Sequence, residues 1–458
     1  MKIKTVFKCS NCGRQESKWI GRCPSCQEWD TFKEVNLETY GNVQARGKKS
    51  AKATKLLDAT GNNSDRIITS INEFDRVMGG GIIRDSITII TSPPGGGKST
   101  LVLAVANEIA SQGCKVLYAS GEESESQIKN RADRILGKIH ETLWILSDTS
   151  MDNVLGSINE IDPDLIVIDS IQTFTLEAFP GSRAGSPTQT MECANELLKA
   201  AKSGSRPRAV IMIGQMTKDD ELAGLRALEH LVDTVLFIET ENGEELRSLI
   251  STKNRFGSTG EMGFFAMVEN GMVSIDNPSE FFMTNRHESD LVSGSSLSVV
   301  REGTRPIIVE IESLVSKTFT PFPSRISESM KREQLNTLIS ILEQRGGISF
   351  YDKDIVLKTT GGLKLKEQAV NLSVIMSIVS SVYNKGIPGD TVFIADVGLT
   401  GELKKVPSLE IRIKELDRRG FKKVYVAKNA LSRSLDLSSI RIIELKTLQE
   451  AISHVFHQ

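Results

Sequence analysis

Short runs of apolar, mostly β-branched residues alternate with helical stretches from about Arg66 onward. Such runs predict strands in SITIITS (86–92), CKVLYAS (114–120), DLIVIDS (164–170), RAVIMIG (208–214) and DTVLFIE (233–239). A helix is predicted from Ser99 to about Ser111, after a glycine-rich turn. Strands that are apolar throughout are buried on both faces, which is typical of a parallel sheet between two helical layers. The pattern predicts an α/β fold.

A second α/β block begins near Arg286. It predicts strands in RPIIVEIESLVS (305–316), DIVLKTTGG (354–362), TVFIADVGL (391–399) and KKVYVAK (422–428), and helices around 367–383 and 408–419. Residues 36–62 are polar, lysine-rich and aperiodic, as expected of a linker. The chain therefore divides into a small head (1–35), this linker, an α/β core (63–285) and an α/β tail (286–458).

Composition and charge narrow the class of protein. A length of 458 residues fits about three domains. With 25% charged and 39% apolar residues, the chain is neither collagen-like nor disordered. The net charge is −2, yet residues 1–55 hold 12 Lys and Arg against 5 Asp and Glu. A basic amino-terminal segment on an otherwise acidic chain favours a nucleic-acid partner. The alternative is that the basic segment is only a solvated tail.

The sequence contains no candidate membrane segment. The longest uncharged stretch, Gln368 to Asn384, has 17 residues and is interrupted by asparagine and serine. A span needs about 20 predominantly apolar residues, so this stretch is too short and too polar. The first thirty residues lack an apolar signal-peptide core. We expect a cytoplasmic protein whose six cysteines are metal ligands or core residues rather than disulfides.

Four cysteines of the head have the spacing of a zinc site. Cys9 and Cys12 form one CxxC pair, and Cys23 and Cys26 form a second pair ten residues further on. Four thiolates at this spacing suit tetrahedral Zn²⁺. So short a segment has too small an apolar core to fold without a bound metal. Two hairpins with free thiols, or an iron–sulfur centre, are the alternatives. The remaining cysteines, at positions 114 and 193, are expected to be core residues.

A phosphate-binding loop lies between the strand at 86–92 and the helix that follows it. In TSPPGGGKST (91–100), backbone amides from Gly95 to Thr100 can wrap phosphates, Lys98 can reach the β/γ-phosphates and Ser99 can hold Mg²⁺. Pro93 and Pro94 have no amide hydrogen to donate. The nucleotide-binding residues predicted are Pro94, Gly95, Gly96, Gly97, Lys98, Ser99 and Thr100. The alternative is a glycine-rich turn without a ligand.

Acidic residues at strand ends complete the predicted site. Asp169 ends a buried strand, where it can order the Mg²⁺ shell, although such an Asp can also cap the next turn. Hydrolysis needs a carboxylate to orient the attacking water, and Glu122 and Glu123 follow the neighbouring strand. Either could instead be a solvated acid at the start of the next helix. Spacing alone does not decide between these possibilities.

Several segments in collinear order resemble the bacterial RadA (Sms) DNA-repair family. They are KWIGRCPSCQEWDTF, EFDRVMGGGI, LYASGEES, VIDSIQTF, TKDDELAGLRALEHLVDTVLFIE, KNRFG (253–257), EGTRPIIVEIESLVS and VGLTGEL. KNRFG together with the cysteine-rich head distinguishes RadA from RecA-like ATPases in general. The resemblance implies a four-cysteine zinc ribbon, a RecA-like ATPase core and a homohexameric ring. It also implies ATP-driven movement on single-stranded DNA, branch migration on branched DNA, and a RecA-type recombinase as a possible partner.

The resemblance also implies roles for individual residues. Glu122, rather than Glu123, matches the RecA-type catalytic glutamate, and Gln215 matches the residue that senses the γ-phosphate. Lys253 and Arg255 would project towards ATP held by a neighbouring subunit, where cations stabilise the developing charge.

The chain departs from the family pattern at three places. Ser92, followed by two prolines, replaces the first loop glycine, so nucleotide affinity or the conformation of the loop can differ. Gln215 stands where His is frequent, and Gln27 where Gly is common. None of these changes removes a phosphate- or metal-binding side chain.

The tail resembles the proteolytic domain of Lon, a Ser–Lys protease. EQAVNLSVIMSIVSS places Ala369 at the position of the nucleophilic serine, and Arg412 falls at the lysine position. The Ser–Lys mechanism needs a hydroxyl nucleophile and a lysine that can lose its proton. Because both are missing at these positions, the mechanism cannot operate. The tail is therefore interpreted as a platform for assembly and DNA binding, without protease activity.

Candidate DNA contacts lie in two segments. The segment FPGSRAGSPTQ (179–189) follows the Asp169 strand, where RecA-like proteins place a DNA-contacting loop, and contributes Arg183. Lys218 and Arg226 are the further candidates for phosphate contacts. Two other functions stay open: a RecA-like regulatory ATPase that switches a protein partner, and a Lon-type protease that would use nearby Ser373.

Overall fold

The computed structural model of the chain describes most residues from position 66 onward and several short segments before it. The described residues are 5–9, 15–16, 18–24, 29, 31–36, 55–58, 66–202, 206–215, 228–240, 245–284, 291–431 and 435–457. The chain forms two compact units, Met1–Asn62 and Asn63–Gln458.

The first unit contains a small antiparallel sheet. Its strands are β1 (Thr5–Cys9), β2 (Gln15–Glu16) and β3 (Phe32–Asn36), in the order β2-β1-β3. Cys23 and Phe32 are buried, and Phe7 and Ile20 pack against them. A short 3₁₀ turn, Leu56–Asp58, lies within the expected linker.

The second unit begins with a large, mainly parallel sheet. Among the described residues its strands are β6 (Ile87–Ser92), β7 (Val116–Ser120), β8 (Leu143–Ser147), β9 (Leu165–Asp169), β10 (Ala209–Gln215), β11 (Thr234–Thr240), β12 (Leu246–Asn254), β13 (Met262–Val268) and β14 (Gly271–Ser274). Their order is β14-β13-β12-β11-β6-β10-β9-β7-β8. Strands β11 to β8 in this order pair in parallel, and β12, β13 and β14 are added antiparallel. A separate ribbon joins β4 (Arg66–Ile67) to β5 (Ile82–Ile83).

Helices cover both faces of this sheet. They are α1 (Asn72–Val77), α2 (Lys98–Ser111), α3 (Glu125–Ile135), α4 (Met151–Ile161) and α5 (Pro187–Ala201), with a 3₁₀ turn at Ile171–Thr173. Ile87 and Ile89 belong to one buried cluster and Ile90 to the cluster on the other face. The strand runs are apolar throughout because successive side chains of a strand are buried on opposite faces of the sheet, as the sequence predicted.

The tail contains a second mixed sheet. Its strands are β15 (Ser295–Glu302), β16 (Arg305–Lys317), β17 (Arg325–Ser327), β18 (Lys353–Thr359), β19 (Thr391–Ile394), β22 (Lys423–Ala427) and β23 (Arg441–Leu445), in the order β17-β18-β16-β15-β19-β22-β23. A ribbon pairs β20 (Asp396–Val397) with β21 (Leu403–Lys404). The helices are α6 (Pro278–Phe281), α7 (Arg332–Gly346), α8 (Asn371–Tyr383), α9 (Leu409–Arg418) and α10 (Leu448–Phe456). Two 3₁₀ turns lie at Thr360–Gly362 and Gln368–Val370.

The fold class expected from the sequence is confirmed in that the chain is α/β and the sheet of its core is mainly parallel. The five core strands are present, and each begins one residue later than its run of letters, or two in the case of β7. Strands β8 and β12–β14 were not predicted. β8 and β12 are partly exposed, so they lack the continuous apolar run that identifies a buried strand. None of the helices in the described parts of the chain is long and apolar enough to cross a membrane.

Candidate nucleotide and magnesium site

The loop between β6 and α2 has the form of a phosphate cradle. Gly95 and Gly97 have positive φ angles of 77° and 90°, which side chains with a Cβ rarely adopt. A Cβ on Gly96 would lie 2.3 Å from Ser92 Oγ, so the serine at the first loop position already fills that space. α2 starts directly after Gly97 without a side-chain cap, which leaves its first amides available for an anion.

Lys98 is held inside this loop. Its Nζ donates to the carbonyl oxygen of Ser92 at 3.1 Å and to Ser92 Oγ at 3.0 Å. Burial lowers the pKa of Lys98, while the nearby carboxylates of Asp169 and Glu122 act to raise it. The Ser92 hydroxyl therefore gives Lys98 a hydrogen-bond acceptor that a glycine at position 92 could not supply.

Asp169 lies beside Ser99 at the end of β9, as expected for a Mg²⁺ site. Its Oδ2 accepts a 2.6 Å hydrogen bond from the hydroxyl of Tyr118 on β7, and the Ser99 side chain also bonds the carboxylate. Burial raises the pKa of Asp169, and these two hydrogen bonds oppose that shift. Hydroxyl and carboxylate oxygens are the hard ligands that Mg²⁺ prefers, so the donors fit this ion.

The structure distinguishes the two candidate glutamates. Glu122 Oε1 accepts hydrogen bonds from Ser170 Oγ and, at 2.8 Å, from Gln215 Nε2, and its side chain is exposed at the carboxyl end of the sheet. Glu123 instead forms an ion pair with Arg131 of α3. The geometry favours Glu122 as the carboxylate that faces a bound nucleotide.

Gln215 is itself fixed by Gln172, a residue that sequence reasoning missed. Gln172 Nε2 donates to the Gln215 carbonyl at 3.2 Å, and the Gln215 amide donates to Gln172 Oε1 at 3.3 Å. Tyr118 and Ser170 were missed as well. Tyr118 stands within an apolar strand run, where its hydroxyl leaves no periodic signal, and Ser170 follows Asp169 with nothing but adjacency to identify it.

Lys253 and Arg255 lie at the opposite edge of the sheet from the phosphate loop. Thr234 pairs with both Thr88 and Asn254, which places the end of β12 level with Thr88, about 13 Å along the strand before Ser92. Lys253 Nζ donates to the carbonyls of Glu229 and Val232, and Arg255 forms a 2.9 Å ion pair with Asp233. Neither side chain is brought together with the nucleotide site of its own chain.

The candidate DNA contacts are only partly described. Arg183 is exposed in the loop that precedes α5. Lys218 and Arg226 lie outside the described residues.

Of the four cysteines of the head, the structure fully describes only Cys23. Cys23 is buried, and Arg22 and Trp29 form an antiparallel bridge. Cys9 ends β1, while its side chain and the residues Cys12 and Cys26 lie outside the described part. The four-cysteine site therefore stays a prediction.

The two other cysteines belong to the core. Cys193 is buried, and burial raises the pKa of its thiol to about 12, while Cys114 packs at the margin of a core cluster.

The tail lacks a serine nucleophile at the Lon-like position. Ala369 is buried in the 3₁₀ turn Gln368–Val370. Arg412 is buried on α9, where its guanidinium bonds Glu367 at 2.5 Å and the carbonyl of Val299. The nearby Ser373 hydroxyl is engaged with Ser296 Oγ at 2.7 Å.

Two domain models match the amino-terminal half of the chain. A zinc-ribbon model, described as a rubredoxin metal binding domain, matches residues 7–34, and an AAA domain model matches residues 51–221. A solved structure, the RadB recombinase, has a TM-score of 0.37 at 21% identity and covers 46% of this chain and 100% of its own. The phosphate loop, Asp169 and the match to the AAA domain model show that the chain is a P-loop ATPase, and the first model adds a zinc-ribbon head.

Full-length relatives give the family. DNA repair protein RadA of Streptococcus pyogenes serotype M3 (strain SSI-1) is 40% identical over 459 residues, covering 99% of each chain. DNA repair protein RadA of Bacillus subtilis (strain 168) is 39% identical over 456 residues, covering 98% of each chain. The chain belongs to the RadA family of DNA repair proteins, which confirms the resemblance seen in the sequence.

Proposed function

We propose that this chain is an ATP-driven motor of homologous recombination and DNA repair, which moves on single-stranded DNA and promotes branch migration of recombination intermediates. The observation that carries the proposal is the 2.8 Å hydrogen bond from Gln215 Nε2 to Glu122 Oε1. Gln215 ends β10, and the chain continues from it into the segment that carries Lys218 and Arg226. A change at Glu122 during hydrolysis therefore has a direct route to the candidate DNA contacts.

Each residue of the site has a separate role in ATP hydrolysis. Lys98 and the amides at the start of α2 bind the phosphates of ATP, and Ser99 and Asp169 hold Mg²⁺. That ion, when bound, supplies charge neutralisation at the β- and γ-phosphate oxygens. Glu122 orients the attacking water, and Gln215 keeps its carboxylate in place.

Lys253 and Arg255 act on the nucleotide of a neighbouring subunit. Their position at the far edge of the sheet supports this assignment, because they are remote from the phosphate loop of the same chain. Cations that arrive in trans stabilise charge on the transferred phosphoryl group. The active form is therefore a ring, which we infer to be a homohexamer.

The head and tail serve assembly and DNA binding. Cys9, Cys12, Cys23 and Cys26 hold a structural Zn²⁺, and the basic head and linker add sequence-independent affinity for DNA. The tail, 286–458, is a Lon-like domain without protease activity. The engagement of Arg412 with Glu367 supports this, because a permanently charged guanidinium cannot act as a general base.

ATP hydrolysis by the purified protein, with and without single-stranded DNA at two salt concentrations, tests the proposal. DNA should stimulate hydrolysis strongly, and the stimulation should fade with salt because phosphate contacts release counterions. Lys98→Ala should abolish hydrolysis while the protein keeps its bound zinc. The matched control is Lys129→Ala, an exposed lysine of α3 paired with Asp133, which should leave hydrolysis unchanged. Hydrolysis that is indifferent to DNA would instead favour a regulatory ATPase that switches a protein partner.

A further inference from the structure

The loop between β16 and β17 in the tail presents aromatic side chains to solvent. Phe319 is 96% exposed and Phe322 is 86% exposed, and Tyr351, just before β18, is 77% exposed. Buried rings would contribute to the core of the domain, so three exposed rings at one end of a sheet mark a surface with a partner.

The backbone of this loop is firmly tied to the start of β18. The Thr318 amide donates to the carbonyl of Asp352 at 2.8 Å, and the Ser324 amide donates to Asp354 Oδ1 at 2.6 Å. The Ile355 amide donates to the carbonyl of Ser324 at 2.9 Å. Both ends of the loop are therefore anchored, and the bond from Thr318 to Asp352 places Phe319 at the same end of the sheet as Tyr351.

Positive charge flanks the three rings. The segment 317–325, KTFTPFPSR, contains Lys317 and Arg325 and no acidic residue. Lys317 pairs in register with Lys353 of the neighbouring strand, so two lysines lie directly opposite each other. Like charges at such positions destabilise a strand pair. Asp352, in a 3.0 Å ion pair with Lys353, and Asp354, which bonds the Ser324 amide, offset two of the three positive charges of Lys317, Lys353 and Arg325. An anionic ligand would relieve the remaining repulsion.

We propose that Phe319, Phe322 and Tyr351 form an aromatic platform on which bases of single-stranded DNA stack, with Lys317 and Lys353 contacting the phosphates. Exposed rings beside cations are the arrangement by which proteins bind single strands without reading their sequence. The proposal rests on the proposed function, and it adds a DNA site in the tail that is separate from the loops following β9 and β10.

A row of aliphatic side chains near the platform provides a matched control. Leu314, Val356 and Ile326 are exposed and lie in register across β16, β18 and β17. A protein partner would cover this row together with the rings. Stacking needs a π-face, which Leu314 does not have, so only the rings should matter for DNA.

Binding of a fluorescent oligothymidylate and of an abasic strand of equal length to the full-length protein tests the proposal. Phe319→Ala with Phe322→Ala should weaken oligothymidylate binding about tenfold or more and leave abasic binding within about twofold. Phe319→Trp with Phe322→Trp should restore affinity, and Leu314→Ala should have no effect. Lys317→Ala should reduce the slope of log affinity against log salt by about 0.7, the value for one phosphate contact on a single strand.

Other results would overturn the platform. Wild-type protein that binds both strands equally, or an alanine pair that binds oligothymidylate like wild type, would exclude base stacking. A loss of oligothymidylate affinity as large in Leu314→Ala would show that the effect does not depend on stacking. A changed subunit number of the alanine pair in light scattering would identify a contact between copies of the chain instead. Wild-type protein that binds neither strand would overturn the DNA motor as well as the platform, so the two failures are distinguishable.

Discussion

At the scale of the residue, the hydroxyl of Tyr118 is what orients the proposed magnesium ligand. It donates to Asp169 Oδ2 at 2.6 Å from a fully buried position on β7. Burial raises the pKa of Tyr118 well above its usual value, so the hydroxyl stays protonated and remains a donor. One carboxylate oxygen of Asp169, Oδ2, is thereby engaged by the hydroxyl, which fixes how the carboxylate is presented to the ion. Partners of this kind commonly change metal affinity by about 10- to 100-fold when removed.

We therefore expect Tyr118→Phe to raise the Mg²⁺ concentration needed for half-maximal binding of a fluorescent ATP analogue by about tenfold or more. Binding measured in EDTA should not change, because the phosphate loop is intact. Tyr425→Phe is the matched control, since the Tyr425 hydroxyl contacts His454 in the tail at 3.1 Å. An unaltered Mg²⁺ requirement in Tyr118→Phe would show that this hydrogen bond does not orient Asp169 for the ion.

At the scale of the element, the sequence predicted five strands of the core: β6, β7, β9, β10 and β11. It missed the partly exposed β8 and β12, and it also missed β15 of the tail, although that strand is buried over most of its length. The run LIVID of β9 is apolar until its terminal aspartate, so the strand and its candidate ligand were predicted together. LRSLISTKN of β12 has neither a continuous apolar run nor a regular alternation, so only its pairing with β11 and β13 identifies it as a strand. The same limit applies to Gln172, whose role depends on contact with Gln215 across 43 residues of sequence.

A buried charge cluster joins the ATPase core to the tail, another feature that only the fold could reveal. Glu73 of α1 is almost fully buried and accepts from Arg305 of β16 at 2.6 Å, from Arg76 and from the Phe264 amide at 2.8 Å. Arg76 also pairs with Glu261 at 3.1 Å. Because α1 lies next to the KNRFG turn, through the bond from Asn254 Nδ2 to the carbonyl of Met78, the cluster links the tail to that turn.

Arg305→Ala should lower the free energy of unfolding by about 1–3 kcal/mol, because a buried carboxylate loses a charged partner. Differential scanning calorimetry of the full chain would detect the change as a lower unfolding temperature. Lys199→Ala, which removes an exposed ion pair with Glu196 on α5, should leave that temperature unchanged. Equal midpoints for Arg305→Ala and wild type would mean that Arg76 alone neutralises Glu73.

At the scale of the whole molecule, the two halves of the proposed catalytic machinery lie on opposite edges of one sheet. The phosphate loop, Asp169 and Glu122 follow the carboxyl ends of the parallel strands, whereas Lys253 and Arg255 lie level with the amino-terminal part of β6. The sequence could name both sets of residues by resemblance. It could not show that they are apart, because that depends on the antiparallel addition of β12. A head-to-tail contact would bring one edge against the other and generate a ring.

Mixing two inactive variants tests this arrangement. Lys98→Ala and Arg255→Ala should each abolish DNA-stimulated hydrolysis alone, because the first removes the phosphate ligand and the second removes the trans-acting cation. In randomly mixed rings about a quarter of the sites would pair an intact loop with an intact Arg255, so the mixture should recover roughly that share of wild-type activity. The double variant mixed with Lys98→Ala is the control and should recover nothing, since neither chain has an intact loop. Exchange of subunits in the 1:1 mixture is followed with differently labelled chains. If the subunits exchange and the mixture stays inactive, Arg255 acts on the nucleotide of its own chain instead.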